Sequence, residues 1–287
     1  MKFLIYFIQY VIIIFLFVFF KILGLKISLY LSSRIFLTFG PLFRSYNLVD
    51  KNLTKVFPNY KKSQKKRIFK KMWINYGKLF CEYIYLKSFR YSKNYEKKIT
   101  IENENILEKI KISNEPVIFI SGHFNNFELM AMYLEKFGIN LAAVYRPLNN
   151  RFLNPLMEKI RKKYICRNQI KKGISGTRHL LQKFKNKSSI ALMIDQRVSE
   201  GIRCNFFNTP ALTTTIPAQF AKKYNAKIVP VYIHRLKNND FIMKVFDPIS
   251  FDKDETIPSI TLKLNLLLEK MILKNPDQWI WTHNRWK

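Results

Sequence analysis

The stretch Val117 to Glu128, V-I-F-I-S-G-H-F-N-N-F-E, holds the residues whose types and spacing come nearest to chemistry. His123 follows a short apolar run that stops at Ser121-Gly122, and a carboxylate, Glu128, comes five positions later. A histidine backed by a carboxylate can deprotonate a hydroxyl, because the carboxylate fixes the imidazole tautomer and stabilises the imidazolium that forms. That chemistry needs no serine or cysteine nucleophile. The β-branched, aromatic run before Gly122 reads as a buried strand. Leu129, Met130, Tyr133, Leu134 and Phe137 then recur at helical spacing, so His123 belongs where a strand ends and a helix begins. At ~100° per residue the two side chains would point about 140° apart on a regular helix. They can meet only if His123 precedes the helix and Glu128 lies in its first turn. Asn125 and Glu128 also have capping-box spacing, in which Glu128 closes the helix and His123 is a turn residue. The residues alone leave both readings open.

The elements around this stretch alternate. Strands are expected at 117–121, 139–145, 189–194, 227–234 and 241–246, with helices after Asn126, near 154–164, up to Phe184, at 217–223 and at 258–273. Such alternation implies an α/β fold with a mainly parallel central sheet flanked by helices. In sheets of this kind sites gather beyond the carboxyl ends of strands. Three strands here end in polar groups: His123, Arg146, and Asp195-Gln196. If the strands are parallel, these ends share one edge. Arg146 and Asp195 have the alternative of a structural ion pair. Gly173-Ile174-Ser175-Gly176 does not fit a nucleophile elbow, no Gly-rich phosphate loop occurs, and His179, His234 and His283 stand apart in sequence, so no metal or cofactor is expected.

Ahead of this body, Phe3 to Phe20 is apolar except for Gln9 and would form a helix about 27 Å long, close to the ~30 Å hydrocarbon core of a bilayer. No small-residue cleavage site follows, so a retained membrane anchor is expected. An amphipathic, aromatic-rich stretch continues it, giving a division into a 1–40 anchor region and a 41–287 catalytic domain. Lys21, Lys26, Arg34 and Arg44 follow the apolar run, which by the positive-inside rule puts the body in the cytoplasm, at the inner membrane. Whether the segment spans the membrane or lies in it stays open. Residues 44–62 read as a loop, Ser63 as the N-cap of a second helix with a wide apolar stripe and a lysine-rich face, and 92–115 as a polar connection.

Fifty Lys and Arg against 19 Asp and Glu give a formal charge of +31. That surplus suits acidic partners, namely nucleic acid, anionic lipid or an acidic carrier protein, with codon bias as the alternative source. No recognisable nucleic-acid module is present, and a nucleic-acid binder would leave His123 and Glu128 without a task. The three dispersed cysteines argue against a disulfide framework.

Four blocks in order, S-G-H-F-N-N-F-E-L-M, V-Y-R-P-L-N-N (144–150), I-D-Q (194–196) and the terminal W-I-W-T-H-N-R-W-K, resemble the bacterial lipid A late acyltransferases, within the wider lysophospholipid acyltransferase group. The resemblance implies a glycerol-3-phosphate acyltransferase-like fold and transfer of a fatty acyl chain from acyl carrier protein to a hydroxyl of an anionic glycolipid, without a cofactor. It implies His123 as catalytic base, Glu128 as its orienting partner, and substrate contacts at Arg146, Asp195, Gln196 and Asn126. An oxyanion donor is expected from Arg146 or from backbone N–H groups after Gly122.

Overall fold

A computed structural model describes residues 2–287. Its centre is a seven-stranded sheet in the order β1-β9-β8-β2-β5-β3-β4. The strands are β1 (Ile99–Glu102), β2 (Ile118–Ser121), β3 (Leu141–Tyr145), β4 (Asn168–Lys171), β5 (Ser189–Met193), β8 (Ile228–Arg235) and β9 (Phe241–Val245). From β8 to β4 all neighbours are parallel, whereas β9 runs antiparallel to β8 and carries β1 parallel to itself. The alternation of strands and helices therefore yields the mainly parallel α/β sheet it implies. β2 is the central strand, and all four of its residues are buried. A strand covered on both faces needs an unbroken apolar run, which Ile118-Phe119-Ile120 supplies.

Residues 202–213 form a separate antiparallel hairpin, β6 (Ile202–Phe206) with β7 (Thr209–Thr213). Phe207 and Asn208 form its tip with positive φ, the twist a two-residue hairpin turn requires. Two stretches read as connections are structured. Residues 44–62 contain helix α2 (Tyr46–Val56), in which Val49 and Leu53, one turn apart, are fully buried. Residues 92–115 contain β1 and helix α5 (Glu104–Ser113), which buries Ile106, Leu107 and Ile110. In both, a narrow apolar stripe is masked by polar neighbours.

Helix α1 (Lys2–Phe43) is broken at Gly24, whose φ of 74° only glycine adopts freely. The Phe20 carbonyl, four residues earlier, accepts hydrogen bonds from Ser28 Oγ and Tyr85 Oη, both 2.7 Å. Beyond the break, α1 crosses helix α3 (Lys62–Tyr91) at very close range. A Cβ on Gly77 would lie 2.4 Å from the Ser32 carbonyl oxygen, and Ser32 Oγ donates to the Gly77 carbonyl at 2.6 Å. Helix α3 thus seats the membrane-facing helix on the body. It also reaches the sheet through Glu82, whose buried carboxylate pairs with Arg235 at the end of β8.

This crossing gives a stability prediction. Gly77→Ala should lower the melting temperature by several degrees, because backbone atoms block the new methyl and overpacking costs about 1–3 kcal/mol, more than the ~1 kcal/mol gained in helix propensity. An unchanged or raised melting temperature for the variant in detergent would show that the two helices do not meet there.

Candidate active site

The carboxyl ends of β2 and β5 lie side by side, with Ser121 registered against Met193. Continuing that register by two residues sets His123 opposite Asp195. Asp195 is fully buried, and its carboxylate accepts three hydrogen bonds. His123 donates its backbone N–H to Oδ2 at 2.7 Å, His123 Nδ1 meets Oδ1 at 2.7 Å, and Trp279 Nε1 donates to Oδ2 at 2.8 Å. Burial alone would raise the Asp195 pKa, but the interaction with His123 and the three hydrogen bonds outweigh it and hold the carboxyl below its ordinary value. An ionised carboxylate at Nδ1 keeps the proton on that nitrogen, which leaves the Nε2 lone pair free as a base. Nε2 faces the Gln196 side-chain amide at 3.3 Å, and the imidazole is 18% exposed, enough to be reached from outside.

Glu128 has a different partner from the one expected. It does start helix α6 (Glu128–Lys136), and His123 does precede that helix, yet no hydrogen bond joins them. Asn125 intervenes with φ 43° and is tied by its backbone N–H and its side chain to Gln278, so the turn carries Glu128 away from the imidazole. Glu128 instead accepts from Arg161 Nε at 3.0 Å, from Arg161 Nη2 at 2.8 Å and from the Tyr83 hydroxyl. Burial would lower the Arg161 pKa, but Glu128 and Tyr83 more than offset it and keep the guanidinium charged. Nor does a capping box form, since Phe127 is the N-cap and no side chain caps the helix.

The other expected site residues separate. Gln196 and Arg146 both line a cavity of about 450 Å³ that opens on His123, within the ~300–1,000 Å³ range of ligand pockets. Arg146 and Asp195 make no ion pair, as Asp195 is committed to His123. Asn126 lies beneath the site instead of in it. It is fully buried, and its Nδ2 donates to Glu82 Oε2 at 3.0 Å, bracing the Glu82–Arg235 pair.

Several cavity residues carried no legible signal in the sequence. Arg161, Lys172, Gln169 and His283 join Arg146 and Gln196 in its lining, beside the apolar Met130, Ala143, Val144, Leu192, Met193 and Ile216. One compartment thus offers both cationic and hydrocarbon-like contacts. His283 is brought in by the C-terminal tail. Asn52 of α2 holds the tail by donating to the carbonyls of Trp281 (2.8 Å) and His283 (3.0 Å), and buried Arg285 donates to Leu212 O and Thr213 Oγ1, both 2.7 Å. The His283 pKa is pushed down to about 4, by burial first and further by the nearby charges of Arg285 and Lys172 against the pull of Asp195. Its Nδ1 is buried without a partner, so the proton is better held at Nε2. His283 is therefore an uncharged donor beside the base.

The N–H groups of the three residues after Gly122 are engaged. That of His123 goes to Asp195, that of Phe124 to the Gly122 carbonyl at 2.8 Å and that of Asn125 to the Gln278 carbonyl at 3.0 Å. Those of Asn126, Phe127 and Glu128 make no such bond, so both expected sources of an oxyanion donor stand, backbone N–H groups after Gly122 and the cavity-lining Arg146. Arg161 Nη1 is also without a partner, but it is fully buried. Among the described residues no cluster of three or more His, Cys, Asp or Glu side chains is placed to hold a metal ion.

Over 204 residues, 68% of this chain and 62% of the relative, the sequence is 24% identical to "Lipid A biosynthesis acyltransferase 2" of Shigella flexneri. The aligned region thus spans about three fifths of that relative's length. The family model described as bacterial lipid A biosynthesis acyltransferase matches residues 1–287, and the chain belongs to that family.

Proposed function

We propose that the protein is a membrane-associated acyltransferase of lipid A biosynthesis. It moves a fatty acyl chain from an acyl carrier protein thioester to a hydroxyl of an anionic glycolipid, with its body at the cytoplasmic face of the inner membrane. The observation that carries the reading is the His123–Asp195 pair opening on a cavity lined by both cationic and apolar side chains, in a chain of this family.

His123 Nε2 takes the proton of the acceptor hydroxyl as its oxygen attacks the thioester carbonyl carbon. The C–S bond then breaks, and the departing thiolate collects the proton from the imidazolium. Asp195 steadies the positive ring through both steps. Negative charge builds on the carbonyl oxygen between them, and Arg146, the Gln196 amide and the His283 N–H are side-chain donors that line the cavity. Glu128 acts through Arg161, holding the guanidinium in place. The thiolate is a good leaving group, so the residues named suffice for the step. Arg146 and Lys172 match acceptor phosphates, for which arginine offers paired N–H donors.

The direct test offers the purified protein acyl carrier protein and coenzyme A thioesters against a lipid A precursor and a lysophospholipid. Acylation of the lipid A precursor from the carrier protein is expected. Acylation of the lysophospholipid alone would move the protein to a different acceptor, and no transfer in any combination would reject the reaction.

Two variants separate the carboxylates. Asp195→Asn keeps the shape but removes the charge that sets the tautomer, and kcat should fall by about 10³–10⁴-fold with a smaller loss of melting temperature than Glu128→Ala gives. Glu128→Ala should mainly destabilise the protein, by about 3–5 kcal/mol, because it strands the buried Arg161 charge. The opposite pattern in kcat and melting temperature would return the orienting role to Glu128.

His283 gives a pH signature. Its folded pKa lies below the ~6.5 of an unfolded histidine, so the unfolded chain binds more protons between the two values, and stability is lost as pH falls from about 6.5 towards 4. His283→Gln retains a neutral donor and should flatten that part of the stability profile. An unchanged profile in thermal melts would mean that the imidazole is not buried neutral.

A further inference from the structure

The helix apolar enough to enter a bilayer is held to the body at both ends of its apolar run. At its start, Asn150 Nδ2 donates to the Tyr6 carbonyl at 2.8 Å and to Gln9 Oε1 at 3.1 Å. The Phe152 ring packs edge-on against Phe3 and Phe7, with centroids 5.1 and 5.6 Å away, and the Arg151 guanidinium lies 5.1 Å from the Phe3 ring. At its end, Phe17 and Phe20 contact Phe80, Tyr85 donates to the Phe20 carbonyl, and Lys21 Nζ lies 4.9 Å from the Tyr85 ring. Phe3 and Phe20 are about 26 Å apart along the axis, nearly the ~30 Å thickness of a hydrocarbon core.

A crossing helix would carry the loop 150–152, with Arg151, to the far side of the bilayer while Lys21 and Tyr85 stayed on the near side. The sheet would have to follow. No such immersion suits a body whose surface is otherwise charged. Along the run, Tyr6, Tyr10, Ile13, Phe17 and Phe20 turn towards the body, and Leu4, Ile8, Val11, Phe15, Val18 and Ile22 form a continuous exposed stripe on the other side. Phe3, Ile5, Phe7, Ile12 and Phe19 are exposed as well, so the apolar exposed face is wide and the helix meets protein along the remaining side only.

We propose that the first half of α1, up to the break at Gly24, lies along the surface of an anionic bilayer and does not cross it, and that this seating brings the mouth of the cavity to the lipid. The inference rests on the membrane-associated reading above. The occupant is a bilayer and not another protein face. The stripe is apolar, α1 contains no Asp or Glu, and Lys2 and Lys21 flank the apolar run in sequence, which suits lipid headgroups of negative charge. Asn150 closes the segment Arg146–Asn149 that lines the cavity, so the residue holding α1 is continuous with the lip through which a substrate passes. A lipid acceptor could then leave the bilayer sideways into the site without crossing water.

The test reads topology, so it is independent of turnover. Lys2→Cys and Lys253→Cys are placed singly in the full chain, where the native cysteines 81, 166 and 204 are buried. Each is challenged with a membrane-impermeant maleimide in sealed inner-membrane vesicles of both orientations. Labelling of both from the same side is expected, and labelling of Lys2→Cys from the opposite side would overturn the proposal. In a second measurement Phe15→Trp is bound to vesicles of anionic lipid carrying bromine at different depths. Quenching by shallow bromines is expected. No quenching, with a concentration-dependent dimer in sedimentation, would assign the stripe to a second copy and likewise overturn it.

Discussion

The arrangement turns on one buried carboxylate. Asp195 is the meeting point of three pieces of chain distant in sequence: the end of β2 through the backbone and ring of His123, the end of β5 on which it sits, and the C-terminal tail through Trp279. A carboxylate taken from water is costly unless its oxygens are well supplied with donors. Three donors, two of them from one residue, make the site affordable only when all three segments are in place. Folding of the tail and formation of the base are therefore a single event. The same economy explains why the tail is stitched so heavily, by Asn52, Tyr76, Gln278 and Arg285, for a segment without regular structure.

The large positive charge divides into parts with different physical roles. Arg235 and Arg285 are buried and spent on internal acceptors, the first on Glu82 and the second on Leu212 and Thr213. Arg161 lines the cavity while bound to Glu128, and its one unpaired guanidinium nitrogen is buried. Arg146 and Lys172 face the cavity outright. A bulk figure of +31 cannot separate these roles, and codon bias remains sufficient for many of the exposed lysines. The informative charges are the few whose surroundings are apolar, because there a cation must either find an anion in the protein or accept one from a ligand.

Much of the fold was legible because parallel strands buried on both faces must be written as unbroken apolar runs, and 117–121, 189–194 and 227–234 are such runs. The edge strands β1 and β4 were not, since Ile-Thr-Ile-Glu and Asn-Gln-Ile-Lys are short and half polar. His123, Arg146 and Asp195-Gln196 were found at strand ends on one edge of the sheet. Which of them touch was hidden, because strand order is not written in local periodicity. With β5 beside β2, Asp195 falls opposite His123 by register, whereas β3 lies one strand further out and leaves Arg146 at the cavity wall. The spacing from His123 to Glu128 pointed to a contact that one left-handed residue, Asn125, prevents. Trp279 and His283 sit in a tail with neither helical nor strand periodicity, so only their resemblance to a family block marked them.

The geometry also bears on why base and anchor occur in one short chain. A general base is useful only if its proton acceptor is not outcompeted by water, and a cavity lined in part by apolar side chains excludes water best when an acyl chain fills it. Such a chain is insoluble, and so is a glycolipid acceptor. Each has to arrive from a carrier or a bilayer and not from solution. The loop after β3 addresses this directly. Its first residues, Arg146 to Asn149, form the lip of the cavity, and its next three, Asn150 to Phe152, grip the apolar helix. On the proposed reading, two separate requirements, a dry site and a lipid-facing location, fall to seven consecutive residues from Arg146 to Phe152. A change that loosens the helix from this loop would therefore act on substrate entry while leaving the His123–Asp195 pair, on the far side of β5, undisturbed.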